Sequence, residues 1–398
     1  MSSSLPITKR GVSEIISETS LAKRLSGKKP LRIKYGIDPT GDLLHLGHAV
    51  ALLRLKELQE AGHVIIFLIG DFTARIGDPT GKNKTRIPLD EKQIKKNMAS
   101  YIQQAGLLLN MKKVEVRYNS EWYGKWKASD LVSLLGTVTH AQVIQRADFQ
   151  KRIEDGADIA MSETIYPILQ GYDSVMLKSD VEVGGTDQKF NLLMGRQLQK
   201  HFGQEPQEVI MTELLEGLDG HDKMSKSLGN FISLTEKPED MYGKVMSTPD
   251  TLLWKYFSLT TLLPEKDIDL LAKQAKAETL NPRDAKMKLA REIVKMYHNA
   301  KAADKAEDHF IQIFQNKSLP SDIPTHKLSS KLQQHSLPEL LVELGYATSN
   351  SEARRLIEQG GIKIDDAVVK DPKHIIKISG KGILIQKGKR HFVKVVSK

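Results

Sequence analysis

The stretch Leu31-Arg-Ile-Lys-Tyr-Gly-Ile37-Asp38-Pro39-Thr40-Gly41-Asp-Leu-Leu-His45-Leu46-Gly47-His48, with the apolar-periodic run to Ala61 and then Val64-Ile-Ile-Phe-Leu-Ile69, decides the fold. Leu31 to Ile37 reads as a strand and Leu46 to Ala61 as a helix closed by Gly62. Val64 to Ile69 is a β-branched run suited to a strand buried on both faces. Strand, helix, strand in this order predicts a parallel sheet, so the expected fold class is α/β, a doubly wound, Rossmann-like domain. In such sheets a ligand lies beyond the carboxyl ends of the strands, here the loops Gly36 to His48 and Gly70 to Arg86.

Outward from this core, 398 residues exceed what one hydrophobic core usually organises. Pro238 to Phe314 carries apolar residues at helical spacing. Asn316 to Pro338, with three prolines and several serines, reads as a linker. After it come a helix from Glu339 to Leu344, a turn at Gly345, a second helix from Ser351 to Gln359, and short strands beyond Gly360 and Gly361. The expected division is a catalytic domain over 1–232, a helical domain over 233–315, a linker over 316–337, and a small α+β domain over 338–398.

Cysteine is absent, which removes disulfides, thiolate zinc sites and iron–sulfur clusters. The longest apolar run, Val64 to Ile69, is far too short to cross a bilayer. No signal-peptide block opens the chain, so the expected location is cytoplasmic, with no membrane partner. The net charge is +10, and Pro338 to Lys398 holds twelve Lys/Arg against seven Asp/Glu, half of that excess. A basic end of this kind favours a polyanionic partner, nucleic acid first.

His45-Leu46-Gly47-His48 stands where a strand-following loop enters a helix. Unpaired N–H groups there, with two imidazoles and the Thr40 hydroxyl nearby, form a cradle for phosphates, and Gly47 allows close approach. Far downstream, Lys223-Met224-Ser225-Lys226-Ser227 reads as a glycine-flanked mobile loop whose two ammonium groups can close over pyrophosphate. Either motif alone is weak. Together, on a parallel-sheet pattern, they resemble the signature pair of class I aminoacyl-tRNA synthetases.

Gly70-Asp71 to Arg86, Tyr166-Pro-Ile-Leu-Gln170-Gly-Tyr-Asp173 and Gly184-Gly185-Thr186-Asp187-Gln188 sharpen the resemblance toward tyrosyl-tRNA synthetases. The segment Ala347 to Asp365 resembles the RNA-binding fold named after a small-subunit ribosomal protein, which bacterial and organellar tyrosine enzymes carry at this end. Tyr166, Gln170 and Asp173 share one helix face and can line one pocket. With Asp78 of the Gly77-Asp78-Pro79-Thr80-Gly81 loop, they can bind a phenol and an α-ammonium group.

By resemblance, Asp187, with Gly185 and Asp38 beside it, holds the adenylate, and Gln188 contacts the tyrosyl carboxyl end. The same resemblance implies that Thr40 and His45 bind the terminal phosphate, that His48 supports the nucleotide, and that Lys82, Arg86, Lys223 and Lys226 neutralise the leaving pyrophosphate. The implied reaction is ATP-dependent activation of L-tyrosine, then transfer to the 3′ end of tRNA(Tyr). Magnesium travels with ATP, held by substrate oxygens and water, and neither zinc nor an organic cofactor is expected. The resemblance also implies a homodimer. Leu131 to Val143 is either part of that interface or core. Arg354 and Arg355 are candidate RNA contacts.

One departure stands out. The family's best-known pattern has a phenol-binding tyrosine where this chain has Lys34, and Tyr35, one place on, points to the opposite face of a strand. Either Tyr35 serves or Asp173 does more of the recognition. The runner-up within the class is a tryptophan enzyme. A non-catalytic RNA-binding descendant would have damaged motifs, and a dinucleotide redox enzyme would have Gly-x-Gly-x-x-Gly after its first strand.

Overall fold

The computed structural model describes residues 9–79, 91–314, 323–328, 334–365, 367–377, 382–388 and 391–396. The chain divides into two compact units, Met1–Glu236 with Lys244–Tyr297, and Lys237–Gly243 with His298–Lys398.

The first unit is built on a six-stranded sheet: β1 (Val12–Ile16), β2 (Arg32–Ile37), β3 (Val64–Ile69), β4 (Val114–Tyr118), β5 (Val181–Gly185) and β6 (Glu208–Thr212). Their order is β1-β6-β5-β2-β3-β4. The five strands β2 to β6 run parallel, as the strand-helix-strand pattern predicts. Val12–Ile16, upstream of Leu31, adds an antiparallel edge on β6. Ile65 to Ile69 are buried, which explains a strand with no polar alternation. Winding runs from β2 through β3 to β4 on one side and through β5 to β6 on the other. The topological switch point therefore lies between β2 and β5.

Helix Leu46–Glu60 follows β2. It is buried on nearly every side, from Leu46 and Ala49 to Leu55 and Leu58. The sheet takes one flank and helix Leu253–Thr260 packs on another, which leaves accessible polar residues, His48 apart, only toward its end, at Lys56, Glu57, Gln59 and Glu60. Helices Met161–Leu177 and Lys189–His201 make the most extensive helix pair. Their approach depends on Gly171: a Cβ there would lie 3.0 Å from the Met194 carbonyl carbon and 3.1 Å from the Gly195 nitrogen. That tight crossing sets Gln170 on one helix against Asn191 on the other, at 2.7 Å. Helices Glu265–Lys276 and Pro282–Tyr297 complete this unit, while Ala300–Phe314 belongs to the second.

The second unit carries a five-stranded sheet in the order Ala367–Val369, Ile362–Ile364, Ile383–Lys387, His391–Val396, Thr325–Lys327. Helices Leu337–Glu343 and Asn350–Glu358 enclose a core that includes Leu341, Ala353, Ile357, Ile385 and Val395. Ser349 caps the second helix by accepting from the Glu352 N–H at 3.3 Å. Gly345 turns the chain between the helices at φ +70. Within the stretch read as a linker, Thr325–Lys327 and Gln334–Ser336 are strands, paired to His391–Val396 and Ile375–Lys377. Their order comes from partners distant in sequence, so no local periodicity announces it.

Candidate active site

A cavity of about 570 Å³ opens at the switch point, lined by the ends of β2 and β5, the start of helix Leu46–Glu60, and Lys223 to Ser227. It gathers Tyr35, Asp38, Thr40, His45, Gly47, His48, Asp78, Tyr166, Gln170, Asp173, Gly185, Asp187, Gln188, Lys223 and Lys226. Lys82 and Arg86 lie outside the described residues. Arg354 and Arg355 are exposed on helix Asn350–Glu358 of the other unit.

His45 is the N-cap of helix Leu46–Glu60, with extended backbone, and its own N–H donates to His48 Nδ1 at 3.2 Å. The second imidazole therefore carries its proton on Nε2 when neutral. Gly47 gives the His45 ring its place, since a Cβ there would sit 3.0 Å from His45 Nδ1. Burial holds His45 down to about 3 and His48 well below the usual imidazole value, with the Lys226 ammonium pushing both the same way. Both rings are thus neutral donors or acceptors at pH 7 before any phosphate arrives. The positive charge of the cradle comes from the helix N-terminus and the lysines.

These depressed values have a consequence for stability. Unfolding restores ordinary proton affinity, so the two rings' contribution is complete above about pH 6.5 and is lost as pH falls toward 3. The double variant His45→Asn, His48→Asn should lose melting temperature less steeply than the parent across that window. Calorimetry over a pH series reads this directly, and parallel slopes would contradict it.

One end of the cavity is built around Asp173, which is 3% exposed. Trp122 donates its Nε1–H to Asp173 Oδ1 at 3.0 Å, and Asn119 reaches Oδ2 at 3.4 Å. Burial pushes the Asp173 carboxyl up to about 7, against the pull of the Lys34 ammonium and of hydrogen bonds from Tyr123, Asn119 and Trp122. Apolar neighbours, including Leu68, Tyr123 and Leu169, surround this end. Tyr166, on the same helix, donates to Asp38 Oδ2 at 3.0 Å, and Thr73 donates to Asp38 Oδ1 at 2.8 Å.

A second carboxylate, Asp78, marks a different part of the cavity. Gln188 donates to it at 2.7 Å, and Arg146 stands 3.6 Å away. Asn191 ties the set together, donating to Gln170 Oε1 at 2.7 Å and to Gln188 Oε1 at 3.0 Å. Nearer the helix start, Lys223 pairs with Asp187 at 2.6 Å. Lys226 donates to Tyr101 Oη at 2.6 Å and to the Leu43 carbonyl at 3.0 Å. Its ammonium also lies 5.1 Å from the Tyr101 ring centroid. The two lysines of the downstream motif therefore rest on groups of the cavity wall.

Strand alternation separates Lys34 from Tyr35. Tyr35 packs on Phe67 with ring centroids 5.7 Å apart, and its phenol, raised by burial, feels Tyr101 and Asp187 rather than Asp173. Lys34 turns toward helix Met161–Leu177. Sequence reasoning passed over Asn119, Trp122, Arg146, Asn191 and Tyr101. Only Asn119 carried a usable signal, as a polar residue directly after the parallel strand β4, where ligand-facing groups collect.

Residues 26–315 match the family model described as tRNA synthetases class I (W and Y), and residues 337–381 match that of the S4 domain. A tyrosine-tRNA ligase of Carboxydothermus hydrogenoformans is 47% identical, the match covering 98% of this chain and 97% of the relative. One of Coxiella burnetii is 50% identical over 97% and 96%. Among solved structures, a C-terminally truncated mitochondrial tyrosyl-tRNA synthetase of Aspergillus nidulans superposes with a TM-score of 0.63 at 25% identity, covering 77% of this chain and 92% of that one. With the paired motifs meeting at one cavity and similarity running nearly end to end, the chain belongs to the tyrosine-specific class I aminoacyl-tRNA synthetases that carry an S4 module.

Proposed function

We propose that this cavity is where the chain, as a tyrosine-tRNA ligase, forms tyrosyl-adenylate and then charges tRNA. The observation that supports it best is the meeting of His45, His48, Lys223 and Lys226 with Asp78 and Asp173 around one cavity. Asp173, among aromatic and aliphatic neighbours, accepts the phenol hydroxyl. Asp78, Tyr166 and Gln170 receive the α-ammonium group, and Gln188 the carboxyl end. Asp187 holds the ribose once Lys223 moves from it onto phosphate.

A carboxylate oxygen of tyrosine attacks the α-phosphorus of ATP in line. The bond from that phosphorus to the bridging oxygen breaks, and pyrophosphate leaves. No covalent protein nucleophile is needed, so positioning and charge stabilisation supply the catalysis. Thr40 and His45 bind the terminal phosphate, His48 supports the nucleotide, and Lys223, Lys226, Lys82 and Arg86 neutralise the leaving group. Magnesium enters as part of the ATP complex. In the second step a ribose hydroxyl of the terminal tRNA adenosine attacks the tyrosyl carbonyl carbon, AMP leaves with the electron pair of the mixed anhydride bond, and the hydroxyl proton passes to solvent.

Segments 233–315 and 338–398 bind the arms of tRNA(Tyr), with Arg354 and Arg355 against phosphates. The working form is a homodimer in the cytoplasm. Among the described residues no helix is long and apolar enough to cross a membrane. Charging of bulk tRNA with labelled tyrosine tests this reading: a base-labile tyrosyl ester is expected, and its absence from folded protein supplied with ATP would overturn it. The KM for tRNA should rise steeply with salt, and Arg354→Glu with Arg355→Glu should flatten that log–log slope by about 2, one for each phosphate-binding arginine removed. An unchanged slope would remove both arginines from the interface.

A further inference from the structure

Lys34 is fully buried on β2, where a lysine needs a reason. Its register partner on β5 is Glu182, itself 1% exposed, and their Nζ–Oε1 distance is 2.8 Å. The ammonium also donates to the Gln170 carbonyl and to Ser174 Oγ, both at 2.9 Å. An ammonium has three donors, so all three are committed to the protein and none is left for a substrate. Glu182 is equally occupied, accepting from Ser174 at 3.1 Å and from Gln207. Apolar residues of similar volume would serve stability as well as such a buried pair does.

Gln170 and Ser174 flank Asp173 on one turn of helix Met161–Leu177. We propose that Lys34 is a positioning residue that sets specificity at the phenol end of the cavity: anchored by Glu182, its ammonium pins Gln170 and Ser174 and presents positive charge to Asp173. This rests on the reading that Asp173 meets the tyrosine hydroxyl. Asp173 is faced by Lys34 from β2, with Glu182 of β5 behind it, by Asn119, Trp122 and Tyr123 from the segment after β4, and by Tyr166 from its own helix. Of these, the ammonium is the foremost influence opposing burial.

The test is the pH profile of kcat/KM for tyrosine-dependent pyrophosphate exchange, run beside phenylalanine, for the parent, Lys34→Met, and Lys34→Met with Glu182→Gln. The second variant removes both charges and keeps the Ser174 and Gln207 partners. Without the ammonium, Asp173 ionises at higher pH. The acidic limb for tyrosine should therefore move up by about one unit, and the tyrosine-to-phenylalanine ratio at pH 7 should fall about fivefold and recover by about pH 9. Unmoved limbs with equal losses for both amino acids, or failure of both variants to fold, would assign Lys34 to the scaffold alone. A parent enzyme with no tyrosine-dependent exchange would instead sink the reading of the cavity itself.

Discussion

Replacing Asp173 by alanine lowers kcat/KM for tyrosine about a thousandfold and leaves the much weaker use of phenylalanine within about tenfold of its starting value. The phenol hydroxyl loses its acceptor, and the Trp122 indole N–H, in a residue 5% exposed, is orphaned with it. Phenylalanine never used that acceptor. Pockets built to bond a hydroxyl reject the analogue lacking it by about 10⁴ to 10⁵, the upper figure being that of a tyrosine enzyme itself.

The same variant carries a stability signature of opposite sign. Asp173 is raised from 3.8 to about 7, so the folded state holds a proton that the unfolded state releases between those values. Its contribution to stability is complete below about pH 4 and declines as pH rises to 7. Asp173→Ala should flatten that decline in a melting series. Equal losses for tyrosine and phenylalanine, with no change in the pH dependence of melting, would show that Asp173 does not meet the hydroxyl.

The second large effect falls on kcat. Lys226→Met should lower the rate of adenylate formation by about 10² to 10³, corresponding to roughly 3–4 kcal/mol, while KM for tyrosine stays within about threefold. Lys226 rests on Tyr101 and the Leu43 carbonyl near Gly41, where a Cβ would come within 2.8 Å of its ammonium. Its pull on pyrophosphate strengthens only as charge develops on the leaving oxygen, so the loss belongs to the transition state. Single-turnover adenylate formation separates this from product release, and a KM effect without a kcat effect would place Lys226 in ground-state binding.

How much of this was legible beforehand follows from where each piece of information resides. Strands β2 and β3 and the helix between them announce themselves because burial on both faces requires unbroken apolar runs. His45 to His48 and Lys223 to Ser227 are contiguous, so each motif can be read before its partner is found. Arg146, Asn191 and Trp122 carry no local pattern; they enter the site only because helix Lys189–His201 crosses at Gly171 and the chain turns after β4. Lys34 was visible as a departure. What it does was not, since Glu182 lies far along the chain and meets it only through parallel register.

Selection of tyrosine for activation belongs to this cavity, while the family model spanning it covers tryptophan and tyrosine enzymes alike. Exchange of labelled pyrophosphate into ATP, measured with tyrosine, tryptophan and phenylalanine in turn, tests that selection without requiring a cognate tRNA. Rapid exchange with tyrosine, and at most weak exchange with the other two, is the predicted result. Exchange driven by tryptophan, or none with any of the three in folded protein, would contradict it.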